Sequence, residues 1–297
     1  RAFYNCTSLK SINILQNVNK IGHCVFDKHD SRILSNKYVN NESFRRIDVN
    51  RFEVSDRLSS NRYNSVFKIV DNETGKLYVK KNEFSIQVIH DDDNEIYNNF
   101  IDQQIRYRIN ANHPTFIQSY GYYLQNENCK DLITIMKYAD NKSLDDLFNL
   151  IYKGLCPIEY DDTCRQIILI GAARAMKYLN DCGMNLCDIK PSNVLLDEYF
   201  HPYVNCSCFK YKEFNAFNKE YVSPEFFNEC ENLEKSNVFS FAILMYQIVT
   251  DDKPYYRIVN LQFLYEIVKG LRPSFNHPIN HCLKELIYQC WSANPSE

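Results

Sequence analysis

Residues 182–208, CGMNLCDIKPSNVLLDEYFHPYVNCSC, gather the side chains best suited to chemistry. Asp188, Lys190 and Asn193 place a carboxylate, an ammonium and an amide in one short loop. Groups of these types can accept a proton, steady an anion and offer an oxygen to a cation. Cys206 and Cys208 come next, with one residue between them. They make half of a metal site, but no second pair at zinc spacing accompanies them, and no metal is expected there. The 12 cysteines lack the tight spacing of a disulfide framework and read as thiols of a reducing compartment.

The run D-I-K-P-S-N at 188–193 resembles the catalytic loop of eukaryotic protein kinases, H-R-D-x-K-x-x-N. The resemblance implies that Asp188 accepts the proton of a substrate hydroxyl. It implies that Lys190 steadies the transferred phosphate and that Asn193 holds magnesium, the one metal ligand expected if any metal binds. Around these residues the pattern departs. Leu186 and Cys187 stand where the family has His and Arg. Cys206-Ser207-Cys208 stands where it has Asp-Phe-Gly, whose aspartate binds the metal bridging the phosphates. A neutral thiol is a poor ligand for a hard cation such as Mg²⁺.

The elements that must position this loop carry further marks. Leu58–Val66, LSSNRYNSV, resembles the glycine-rich loop x-G-x-G-x-x-G-x-V, with Ser59, Asn61 and Asn64 at the glycine positions. Side chains there crowd the approach of backbone N–H groups to phosphate. Phe67–Val70 and Lys76–Lys81 read as a hairpin around Asp71–Gly75. Lys81 is the expected phosphate-pairing lysine, with Lys80 as the alternative register. Val79 shares the face of Lys81 because strand side chains alternate, and it narrows the place of the adenine base. A helix over 94–109 should carry a glutamate for this lysine, but the position falls on Gln103 or Gln104. The expected ion pair is therefore missing. Tyr120–Leu124 and Ile133–Met136 read as the last small-lobe strands, with Met136 as gatekeeper and Lys137-Tyr138-Ala139 as hinge. Val66, Val79, Lys81, Met136, Ala139 and Leu195 line the expected nucleotide cleft.

In the large lobe, Cys164–Leu179 has helical apolar spacing. Tyr221–Glu225 resembles Y-x-A-P-E, and Ser236–Ala242 resembles S-D-V-Y-S-F-G with Asn237 in place of the aspartate. Asn141-Lys142-Ser143-Leu144 resembles N-G-S-L with its glycine replaced. The terminal C-W-x-x-N-P points to the tyrosine-kinase-like group.

Upstream, Ala2-Phe3 recurs as Val25-Phe26 at a period of 23, with Leu9, Ile12 and Ile14 between. This resembles one unit of BspA-like leucine-rich repeats. The expected organisation is a repeat fragment at 1–27, a linker at 28–50 and a kinase-like domain at 51–297. Within that domain the small lobe spans 51–136, the hinge 137–140 and the large lobe 141–297. The fold class is α+β, a two-lobed protein kinase-like fold. The chain opens at Arg1 and is expected to be part of a longer protein.

A net charge of −3 without a basic run points away from nucleic acid and anionic membrane. The replaced groups lie in several independent parts of the catalytic apparatus. The expected function is that of a pseudokinase, a scaffold or allosteric partner of other proteins such as an active kinase or a signalling complex. It is expected in the cytoplasm and without a cofactor. The alternative is a weak serine/threonine kinase using ATP and Mg²⁺.

Overall fold

The computed structural model describes residues 45–60, 64–83, 105, 108, 113–125, 131–182, 189–205, 219–227, 233–256 and 263–292. The repeat fragment and most of the expected linker lie outside these residues. The chain divides into two compact units, one built mainly from the first 138 residues and the other mainly from residues 139–297.

The first unit is a six-stranded sheet. Its strands are β1 (Arg45–Arg46), β2 (Phe52–Ser60), β3 (Asn64–Asp71), β4 (Leu77–Glu83), β5 (Ser119–Gln125) and β6 (Asp131–Lys137), in the order β1-β5-β6-β4-β3-β2. All neighbours pair antiparallel except β1 and β5, which run parallel. The linker expected up to residue 50 thus ends inside the sheet. Ile47 and Val49, two apart in sequence, pack against the buried Ile69, Ile133 and Ile135. Burial of these two side chains favours holding a segment whose composition is otherwise polar.

The β3–β4 turn is built around Asp71. Its carboxylate accepts Nε and Nη2 of Arg51 at 2.8 and 2.6 Å, the hydroxyl of Thr74 at 2.6 Å and the amide of Glu73 at 3.0 Å. The hydrogen bond from Arg51 leads in holding this carboxyl below its ordinary range, against the opposing effect of burial. Gly75, at φ +68, supplies the left-handed residue that closes the turn.

The second unit is mainly helical. Its helices are α1 (Leu144–Tyr152), α2 (Asp162–Asp181), α3 (Pro224–Phe227), α4 (Leu233–Thr250), α5 (Phe263–Val268) and α6 (His281–Cys290). A small hairpin of β7 (Val194–Leu196) and β8 (Pro202–Val204) completes it. Its core gathers Phe239, Ile243 and Tyr246 of α4, Ile267 of α5, Ile287 of α6 and Trp291. α2 lies close to β8 where Gly171 faces Pro202, because an added Cβ would come within 2.3 Å of the proline ring. The chain changes direction after α4 through Asp251 at φ +54, a left-handed helix end. Arg165 of α2 donates to the Asp251 carboxylate at 2.5 Å. Among the described residues, no helix is long and apolar enough to cross a membrane.

Candidate active site

Register fixes one face of the sheet. Val66 of β3, Lys81 of β4 and Thr134 of β6 lie directly opposite one another, as do Lys68, Val79 and Met136. Directly opposed residues share a face, so Val66, Val79, Lys81 and Met136 all point the same way. Lys81, Val79 and Met136 are buried there, and Val66 is half-buried. Lys80 points to the opposite face and is half-buried, and burial lowers its ammonium below the ordinary lysine value. The Nζ of Lys68 sits 5.1 Å from the centre of the Tyr138 ring. Ser59 pairs with Val66 beyond a register irregularity in β2, and Asn64 opens β3 opposite Glu83. The strand ladder therefore runs into the loop where the resemblance expects glycines.

The expectation that Lys81 lacks an ion pair is corrected by the structure. Lys81 Nζ lies 2.8 Å from Glu83, two residues further along the same strand. Arg108, in helical backbone, donates to the other Glu83 oxygen at 2.7 Å. The side chains of Lys81, Glu83 and Arg108 are 10%, 17% and 3% exposed. Burial alone would push the Glu83 carboxyl up, but the charges and hydrogen bonds of Arg108 and Lys81 outweigh it and hold the group at about 2. The sequence signal for Glu83 is the alternation that pairs Val79 with Lys81. Extended by one step, it places Glu83 on the same face. Gln103 and Gln104 lie outside the described residues.

In the second unit, Pro191–Asn193 forms a single 3₁₀ turn with Lys190 at its N-cap. Asn193 is buried, and its carbonyl accepts the amide of Asn205 at 2.7 Å. That bond ties the loop to the residue just before Cys206. Leu195 is half-buried at the centre of β7 and bridges to Ser143. Ala139 is buried, and its carbonyl accepts the Lys142 amide. Two further backbone bonds, Asn141 N to Leu196 O and Leu196 N to Lys142 O, dock this segment onto β7. Asn237 is buried on α4. Asn61, Leu186, Cys187, Asp188, Cys206, Ser207 and Cys208 lie outside the described residues.

Two carboxylates follow β7: Glu198 is exposed, and Asp197 is committed within its own turn. It accepts the amides of Tyr199 and His201 at 2.9 Å each, His201 Nδ1 at 3.1 Å and the Tyr203 hydroxyl at 3.3 Å. Burial would raise this carboxyl, but hydrogen bonds from His201 and Tyr199 hold it below its ordinary range. These bonds close the β7–β8 turn, where Phe200 sits at φ +62. Among the described residues, no group of three or more His, Cys, Asp or Glu is placed to hold a metal.

Comparison with known proteins gives a consistent family. The family model described as "Protein tyrosine and serine/threonine kinase" matches residues 52–297. A probable LIM domain-containing serine/threonine-protein kinase of Dictyostelium discoideum is 30% identical over 196 residues, covering 64% of this chain and 20% of that protein. The probable serine/threonine-protein kinase drkC of the same organism is 23% identical over 289 residues, covering 91% of this chain and 36% of the relative. Receptor-interacting serine/threonine-protein kinase 1 of Homo sapiens is 28% identical over 155 residues, covering 43% of this chain and 23% of its own length. The chain spans between 20% and 36% of the length of these relatives.

Proposed function

We propose that this chain, which belongs to the protein tyrosine and serine/threonine kinase family, acts as a pseudokinase. It serves as a scaffold or allosteric partner of other proteins in cytoplasmic signalling, such as an active kinase. It is preceded by a leucine-rich repeat array of which residues 1–27 are the end, so a 23-residue period should continue upstream. The observation that carries the reading is the commitment of Asp197. The resemblance puts Cys206 in the place of the bridging carboxylate, and of Asp197 and Glu198, the carboxylates that could replace it, Asp197 has its acceptor capacity used within its own turn. Ser59 and Asn64, paired into or flanking the strand ladder, add bulk where phosphate would approach backbone amides.

A second reading is a weakly active serine/threonine kinase using ATP and Mg²⁺. It is favoured by the carboxylate partner of Lys81 and by the retention of Asp188, Lys190 and Asn193. Loss of one electrostatic stabiliser of a transition state commonly costs about 10²–10³ in rate. Transfer of radiolabelled phosphate by the purified full-length protein separates the readings, measured beside Asp188→Asn and Lys81→Met. The pseudokinase reading expects no incorporation above background, or incorporation that neither substitution changes and that comes from a contaminant. Incorporation that survives purification and disappears in both variants establishes the active kinase.

A further inference from the structure

We infer that Glu83 is the positioning residue for Lys81, supplied by the same strand, and that Arg108 is the cation through which a helical segment grips that pair. The pattern implied by the resemblance takes the lysine from the strand and the glutamate from the helix. Here β4 supplies both members, 2.8 Å apart, and the helical residue supplies a second cation at 2.7 Å. Arg108 stands four residues beyond Gln104 in sequence. The polarity across the contact between strand and helical residue is therefore reversed.

Lys81 and Glu83 are fixed relative to one another by strand alternation, so their pairing does not depend on the helix. Displacing Arg108 removes one of two cations from Glu83 and leaves Lys81 its carboxylate. Removing Glu83 leaves two largely buried cations without the carboxylate between them, an arrangement far less favourable than a satisfied pair. In an arrangement with the glutamate on the helix, moving the helix would strip the lysine instead. The pair is thus a constitutive feature of the sheet.

Two measurements on the full chain test this. The first is a double-mutant cycle of Lys81→Met and Glu83→Gln by urea unfolding, run with Arg108 and again in Arg108→Met. The expected coupling changes the unfolding constant by about fivefold in both backgrounds. Coupling that vanishes in Arg108→Met overturns the inference. The second is acetylation of Lys81 by acetic anhydride, read by mass spectrometry against Lys80 on the opposite face. Glu83→Gln should raise the ratio of Lys81 to Lys80 labelling, and Arg108→Met should leave it unchanged. An equal rise in both variants means that Lys81 is held through the helical residue, and the inference fails. Should Glu83→Gln not fold, the Arg108→Met arm decides alone: an unchanged ratio supports the strand-borne pair, and a raised ratio overturns it.

Discussion

Lys142 shows how a lost glycine is borne by the backbone. The resemblance to N-G-S-L marks its position as a glycine site, and the structure places it at φ +60 with a side chain at the surface. The conformation is held because the Lys142 carbonyl accepts the Leu196 amide at 2.9 Å and Ser143 then caps α1 in a reciprocal box with Asp146. A side chain in the left-handed region is unfavourable, while glycine adds freedom to the unfolded chain. Lys142→Gly should therefore stabilise the protein by a net 0.5–1 kcal/mol, roughly, in urea unfolding. This position is legible in the sequence because a motif names it. Asp197 is legible in the sequence only as one of two carboxylates, with Glu198, that follow the loop. Its commitment depends on a turn in which the chain folds back by four residues, and no motif announces that.

At the scale of elements, the strands and helices are largely readable from alternation and helical spacing. The partner of Lys81 is not, although the alternation that places Val79 beside Lys81 also reaches Glu83. The resemblance points to a glutamate on a helix, and no motif names a carboxylate on the strand itself. The pairing has a measurable acid signature. Glu83 is held at about 2 against an ordinary 4.5. A carboxyl depressed on folding contributes stability that is present above its unfolded value and is lost as pH falls through the folded one. That contribution is on the order of 3 kcal/mol. Between pH 4.5 and about 2, wild type should therefore lose stability faster than Glu83→Gln. Parallel slopes in acid unfolding curves would contradict the buried pair. A second element-scale test lies at α2. Alanine at Gly171 gains helix propensity worth about 1 kcal/mol but drives its Cβ to 2.3 Å from the rigid ring of Pro202. Overpacking generally costs about 1–3 kcal/mol, so Gly171→Ala should be net destabilising in thermal unfolding.

For the molecule as a whole, short marks in a fixed order from Lys81 to Trp291 make the family readable, and the family match over residues 52–297 agrees with them. The start of the sheet is harder to read. Residues 45–49 are polar in composition, and their two apolar side chains have meaning only against the Ile69, Ile133 and Ile135 cluster that they cover. Function is less legible than fold because it turns on a few atoms whose commitments are set by tertiary structure. Nucleotide binding brings those commitments to one experiment. A ligand that binds only the folded state at a hundredfold excess over its Kd stabilises by about 2.7 kcal/mol. Asp197 is spent on its turn, Val79 stands buried beside the strand lysine, and Ser59 and Asn64 stand where the resemblance expects glycines. Titration with ATP should accordingly give no shift in melting temperature that requires Mg²⁺, and Lys81→Met should behave like wild type in that titration. A magnesium-dependent shift lost in Lys81→Met would mean that oxygen ligands other than Asp197 complete the site. A shift in ATP alone, equal with and without Mg²⁺, would instead place the nucleotide on Lys81 without its metal, leaving a domain that senses nucleotide but has no means of bridging the phosphates for transfer.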